Sequence, residues 1–364
     1  MDSNKTVIRK ETKNKIHVDY EGKLSFKERL QAKLKTSNTW IRVLVNIFRF
    51  VLMLGVSFVI LFPFISKIAG SFMTKADVID PTVSLIAKNF TLEQYKYIIT
   101  ENQYFTALVN TALLSLSVAL IQTFIACLVG YGLAKFKFKG NKIVMALVVF
   151  TMVVPHQTLS LAIQMWLSDF DIMQPKSWEF TMGYNGIVGT IAQWIDPTKT
   201  QVSLQNSLVP YYIFSVCGLA FKNGLYIYLL RQFFKGVPDE LEESAYVDGS
   251  GVFRTFFRII IPLAVPMMIT VFLFSFSWQW TDQFYHSVFF ATQQEGEGVF
   301  LMPNVIEQVS ISLGASAETD TTALLYKSVV ENTAGMMIIA PLIIMYLFCQ
   351  KYLVQGIERS GLVG

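Results

Sequence analysis

Charge is scarce in this chain. Asp, Glu, Lys and Arg make up only 15% of its 364 residues, against roughly 25% in an ordinary soluble domain. With 53% hydrophobic residues and 30 phenylalanines, the deficit argues against a soluble globular protein and for a chain that crosses a bilayer several times. Cysteine is scarce too. Cys127, Cys217 and Cys349 lie in apolar stretches without paired spacing, which excludes a disulfide framework and leaves small core hydrophobes. Three histidines, none in H-E-x-x-H spacing, give no support to an intramembrane enzyme. A phosphate-cradling G-x-x-x-x-G-K-[S/T] loop is missing as well. The chain is therefore expected to have no catalytic site, to bind no cofactor or metal, and to depend on another protein for any use of ATP. The net charge of +4 is clustered by segment with no aromatic-basic patch, so no nucleic-acid partner is expected.

What is present is a series of long apolar runs, at about residues 43–66, 105–134, 143–167, 207–234, 259–285 and 334–353. A hydrocarbon core about 30 Å thick needs about 20 helical residues, and helices satisfy their own backbone in lipid. The expectation is an all-α polytopic membrane protein of six transmembrane helices. It divides into a basic extension over 1–42, a membrane domain over 43–353 and a tail over 354–364. The first 42 residues are polar and lack a small-residue cleavage site, so the first span is expected to direct insertion. Lys and Arg set the orientation. Residues 1–42 hold eleven of them, and "KFKFKGNK" holds Lys135, Lys137, Lys139 and Lys142. Residues 286–333 hold a single cation, Lys327, against six carboxylates. Both termini and the loops carrying "KFKFKGNK" and residues 231–258 are therefore expected to face the cytoplasm, with the chain multi-pass in a cell membrane. "LSFKERLQAKLK" could lay Leu24, Leu30 and Leu34 on the lipid surface or stay solvated. The outer loop 168–206 is longer than a turn needs, which suggests ordered surface or partner contact.

One segment is not explained by span-making. "DELEESAYVDGSGVFRTFFRIIIP", residues 239–262, places five carboxylates, two glycines and two arginines between apolar runs. Asp239 and Glu242 have the spacing of a capping box, Gly249 suits a helix C-terminus, Ser250 suits the cap of a second helix, and Pro262 suits the first turn of the next. Glu240, Glu243 and Val247 share one helical face, with the small Ala245 on another where a second surface could approach. The expectation is a helix–turn–helix knob with an acidic edge, which is either an ordinary solvated loop or a docking element for a cytoplasmic partner.

Glu243-Ser244-Ala245, three residues, Gly249, nine residues and Ile259-Ile260-Ile261-Pro262 closely resemble the E-A-A-x-x-x-G-x₉-I-x-L-P loop of bacterial ABC importer permeases. Ser244 and Ile261 depart from that pattern. "NFTLEQYKYI", "ALVNTALLSL", "VGYGLAKFKFKGNK" and "LFCQKYLVQGIERSGLVG" resemble segments of the carbohydrate-uptake type, like the maltose permease subunit with a cytoplasmic tail. Val363 stands where family tails often carry Lys. The resemblance, over about residues 40–364, implies that the loop inserts a coupling helix into a cytoplasmic ABC ATPase dimer. Glu240, Glu243, Ala245, Gly249, Arg254 and Pro262 would serve that coupling, although Arg254 and Arg258 could instead meet lipid headgroups. It further implies a second permease subunit, an extracytoplasmic solute-binding protein and a carbohydrate substrate.

Polar residues inside spans are expensive and suggest function. Asn110, Gln122, Lys222, Gln279 and Asp282 are candidates for the translocation path, with His156 and Gln157 beside a helix-bending Pro155. Lys222 could equally snorkel to an interface. In "FSFSWQWTDQFY", Trp278 and Trp280 offer stacking faces and Asp282 a hydrogen-bond acceptor, a mixture suited to sugars, or to an aromatic belt at the membrane surface. "WTDQF" resembles the family's W-N-D-F, with Thr281 in place of Asn. Helical periodicity puts Trp278 with Asp282, whereas the resemblance favours Trp280; the two rings lie about 160° apart around one helix and cannot both face one path. A gradient-driven secondary transporter of a polar solute is the alternative, opposed by the near absence of intramembrane carboxylates and of an evident inverted repeat.

Overall fold

A computed structural model describes residues 8–11, 17–20, 37–168, 204–220, 222–290, 299–314 and 321–359. The expected surface helix around Leu24 to Leu34, most of the loop 168–206 and the end of the tail with Val363 lie outside them. The chain forms two compact units, Met1–Lys67 and Ile68–Gly364. In the first, strands β1 (Ile8–Glu11) and β2 (His17–Tyr20) pair antiparallel with Ile8 opposite Tyr20. Helix α1 (Ser37–Gly70) follows, with Pro63 inside it, and ends in the second unit.

The second unit continues with α2 (Lys75–Ile79), α3 (Glu93–Glu101), α4 (Tyr104–Lys135), α5 (Asn141–Val153), a 3-10 turn (His156–Leu159) and α6 (Ser160–Ser168). Then come α7 (Val209–Val216), α8 (Asn223–Lys235), α9 (Glu240–Val247), α10 (Val252–Thr255), a π turn (Phe256–Ile260) and α11 (Ile261–Trp280). It closes with α12 (Phe284–Phe289), α13 (Met302–Gly314) and α14 (Thr321–Arg359).

Among the described residues, four helical stretches are long and apolar enough to cross a membrane: Val43–Gly70, Tyr104–Lys135, Val252–Trp280 and Thr322–Leu353. The predicted third span is instead a pair, α5 and the His156–Ser168 segment, bent by 93°. Pro155 lies in the break: it disfavours helix at Val154, which is extended at φ −66°, ψ 122°. The predicted fourth span also divides, into the 8-residue α7 and the 13-residue α8. Gly218 and Lys222 between them both adopt left-handed backbone, at φ +71° and +66°, which no continuing α-helix accommodates. The last span begins well before its predicted start at 334, and the fifth emerges directly from the 239–262 segment.

Helix α4 is the axis of the unit. Its buried stripe runs through Ala107, Thr111, Ser115, Val118, Ala119, Gln122, Ala126, Gly130 and Tyr131, at helical spacing. Lipid gives no hydrophobic drive between helices, so small residues that permit close approach carry such packing. At Gly130 a β-carbon would stand 3.0 Å from the Arg231 nitrogen and 3.0 Å from Leu230 Cβ, which is how α8 comes to lie against α4. Gly224 does the same for α8 against α5, where a β-carbon would meet Thr151 Oγ1 at 2.6 Å. A first core, with Tyr131, Tyr226, Leu230, Phe234, Ile260 and Met267, joins α4, α8 and α11. A second, with Tyr104, Trp280, Met302, Val330 and Ile338, joins α4, α11, α13 and α14. A third gathers Leu114, Leu167, Tyr211, Tyr285 and Phe289 from α4, α6, α7 and α12.

Candidate coupling segment and polar cluster

The 239–262 segment folds as two helical pieces around Gly249. Helix α9 ends there in two bonds, Gly249 N–H to Tyr246 O at 3.0 Å and Ser250 N–H to Ala245 O at 2.9 Å, the pattern of a Schellman turn. It requires positive φ, and Gly249 is at +79°, a value that a β-carbon makes costly. Gly251 is extended, at φ −76°, and begins α10 in place of the predicted Ser250. Instead of stopping at Pro262, the second helix passes through the π turn into α11, with Ile261 N–H bonded to Phe256 O. Pro262, with no N–H to place, occupies the first turn of α11 as expected. Gly249→Val is expected to cost about 1–2 kcal/mol in this turn and to reduce transport more than Gly251→Val. Parallel uptake and melting measurements check this, and equal behaviour of the two variants would misplace the bend.

The capping box does not form. Asp239 makes no side-chain cap bond to α9, and Glu242 does not reach back to complete one. Both carboxylates turn to the end of α4. Lys135 Nζ donates to Asp239 Oδ1 at 2.5 Å and to Val237 O at 2.6 Å, and stands 3.6 Å from Glu242 Oε1. Tyr131 OH donates to Glu242 Oε2 at 3.0 Å. The Lys135 ammonium holds the exposed Asp239 carboxyl below the usual carboxylate range. Ala245 is buried against its own chain, not open to a partner as expected. Glu240, Glu243, Val247, Phe253, Arg254 and Arg258 are exposed, so the acidic edge and an apolar patch remain outward. The sequence reading missed Lys135, Tyr131 and Glu242 as a set; the i, i+4 spacing of Tyr131 and Lys135 at the end of an apolar run was the signal.

A polar cluster lies between α4, α7 and the end of α11. Gln122 Oε1 accepts from Ser275 Oγ at 2.6 Å, and Gln122 Nε2 donates to Ser215 Oγ at 3.3 Å. Tyr211 OH donates to Asp282 Oδ2 at 3.2 Å, while Asp282 Oδ1 accepts the Tyr285 N–H at 3.1 Å. Gln122, Ser275, Trp278, Gln279, Asp282 and Tyr285 together line a cavity of about 10 Å³, room for about one water. Lys222 Nζ lies 4.8 Å from the centre of the Trp278 ring. Lys222 also lines a neighbouring cavity of about 130 Å³ with Thr151 and His156, where the breaks of the third and fourth predicted spans meet.

Two candidates fall elsewhere. Trp280 is 3% exposed, stacks on Phe276 and donates from Nε1 to Ile338 O at 2.9 Å. It is a packing residue against α14, not a wall of the cavity. Asn110 donates to Phe300 O at 3.0 Å and ties α4 to the start of the α13 region. Tyr211 and Ser275, which the sequence reading did not select, complete the cluster; a hydroxyl in an apolar run gives only a weak signal of its own.

Residues 122–359 match the family described as the binding-protein-dependent transport system inner membrane component. The chain belongs to that family. It is 24% identical to Protein LplC of Bacillus subtilis over 85% of this chain and 92% of the relative. It is 24% identical to the polygalacturonan/rhamnogalacturonan transport system permease protein YtcP of the same organism, over 87% and 97%. It is also 24% identical to the arabinooligosaccharides transport system permease protein AraQ of Halalkalibacterium halodurans, over 85% and 93%. Among solved structures, a chain of a bacterial ABC transporter involved in import of the acidic polysaccharide alginate superposes with a TM-score of 0.58 at 22% identity, covering 87% of this chain and 98% of that one. The fold is thus shared with a chain of that importer.

Proposed function

We propose that the chain is a permease subunit of an ATP-binding-cassette importer that carries an oligosaccharide into a bacterial cell. The observation that carries this reading is α9: an acidic helix exposed beside an ordered turn and joined directly to a spanning helix. The relatives named for arabinooligosaccharide and polygalacturonan transport support the substrate class. Six crossings are made by α1, α4, the bent pair α5–α6, the broken pair α7–α8, α10–α11 and α14. The Lys and Arg distribution puts both termini and α9 in the cytoplasm. ATP is used by a partner ATPase dimer that receives α9. A second permease subunit completes the membrane core, and an extracytoplasmic solute-binding protein delivers substrate. Gln122, Trp278, Gln279 and Asp282 line part of the path with Lys222 at its flank.

The test is purification of the tagged chain from its native membrane, followed by uptake of labelled oligosaccharide into proteoliposomes. Co-purification of an ABC ATPase and uptake requiring ATP and binding protein are the expected results. Uptake independent of ATP and abolished by a protonophore would establish the gradient-driven alternative instead.

A further inference from the structure

The contact between α9 and the end of α4 is built from a buried cation and a buried carboxylate. The Lys135 side chain is 7% exposed and that of Glu242 10%. Charged groups are almost never buried without partners. Here Lys135 donates to the oxygens of Val237 and Asp239 and forms an ion pair with Glu242, whose Oε1 stands 3.6 Å away and takes no hydrogen bond. Tyr131, one turn earlier on α4, fixes the other oxygen of Glu242. Phe234 and Phe256, from the elements on either side of α9, close on the Tyr131 ring at 5.5 and 4.8 Å. Without these bonds, residues 236–239 would join α8 to α9 as an ordinary short connection, free to absorb a displacement.

Resting on the reading of α9 as the ATPase-docking helix, we propose that Lys135, Glu242 and Tyr131 are positioning residues that latch α9 to α4, so that displacement of the docked helix is delivered to α4. Two features favour this assignment over a purely local role. The latched helix is the same one whose buried stripe contacts the polar cluster through Gln122, nine residues and about 13 Å up from Tyr131. The residues on the outward edge of α9, Glu240 and Glu243, take no part in the latch, so docking and transmission use different carboxylates. Lys135 and Glu242 fix α9 to the end of α4 from the side facing away from the docking edge; neither touches substrate.

The experiment uses the complete transporter in proteoliposomes. Lys135→Met and Glu242→Gln are compared with Lys135→Arg and with the charge exchange Lys135→Glu/Glu242→Lys. Three quantities are read: ATPase subunit retained on purification, basal ATP hydrolysis, and uptake per ATP hydrolysed. The first two are expected within about twofold of wild type in the neutralising variants, with uptake per ATP falling roughly tenfold or more. Lys135→Arg should stay near wild type, and the exchange should recover more than either of its single variants. Wild-type uptake per ATP in Lys135→Met and Glu242→Gln would overturn the latch. So would loss of ATPase subunit in proportion to lost uptake, which would make these residues docking contacts. If the wild-type chain itself retains no ATPase, the functional reading falls and the latch with it.

Discussion

Glu243→Lys should abolish most ATP-driven uptake while the chain still inserts, folds and reaches the membrane in normal amount. Glu243 is exposed on α9, and its carboxylate makes no ion pair among the described residues. Reversing its charge therefore takes nothing from the fold beyond a few tenths of a kcal/mol. A partner groove that accepts an acidic edge would, by contrast, lose one attraction and gain one repulsion. Truncating one member of a close interfacial charge pair costs about 2–5 kcal/mol, and each 1.4 kcal/mol is about tenfold in affinity. The expected result is at least a roughly tenfold loss of ATPase subunit on purification, with an unchanged melting curve for the isolated chain. Glu242→Lys should behave oppositely, placing a second cation against Lys135 in a buried site and lowering the melting temperature itself. If Glu243→Lys retains its ATPase and its uptake, the outward edge of α9 is not the docking surface.

That two adjacent glutamates differ so completely marks the limit of what could be read from the sequence. The bend at Gly249 was legible, because helix-ending backbone demands a residue without a β-carbon and Gly249 stood at the right place. Pro262 was legible for the complementary reason. The capping box at Asp239 and Glu242 had correct spacing and did not form, since Lys135 arrives from about a hundred residues earlier and offers both carboxylates a full charge. A local motif competes with every distant partner the fold brings to it, and spacing cannot reveal that competition. The spans show the same division. Apolar length located the runs, and Pro155 announced the bend of the third. The break in the fourth rests on positive φ at Gly218 and Lys222; the glycine was a local signal that a long apolar run outweighed, and the lysine, a residue type with no preference for that conformation, gave none. Trp278 and Asp282 do border one cavity, but the 3.6-residue period is not the cause, because α11 ends at Trp280 and Asp282 lies beyond its cap.

Trp280→Ala and Trp278→Ala should separate stability from transport. Trp280 fills the second core, stacks on Phe276 at 5.6 Å and bonds the Ile338 carbonyl. Replacing such a residue leaves a cavity, and Trp-to-Ala changes in cores cost about 3–5 kcal/mol. The surroundings here are lipid rather than water, so the loss is of packing and the low end of that range applies. Trp280→Ala is expected to lower the melting temperature by several degrees and to reduce folded yield, with uptake per folded molecule little changed. Trp278 is 45% exposed and faces the cavity and the Lys222 ammonium, so its removal costs the fold at most about 1–2 kcal/mol. Its removal takes away the stacking face beside Gln279 and Asp282, and uptake should fall while the melting curve holds. Cysteine substitution gives an independent check: a polar thiol reagent should reach positions 278 and 282 and be blocked by saturating oligosaccharide, and should not reach 280. The reverse pattern, with 280 labelled and protected and 278 indifferent, would mean that α11 presents its other face to the substrate during transport.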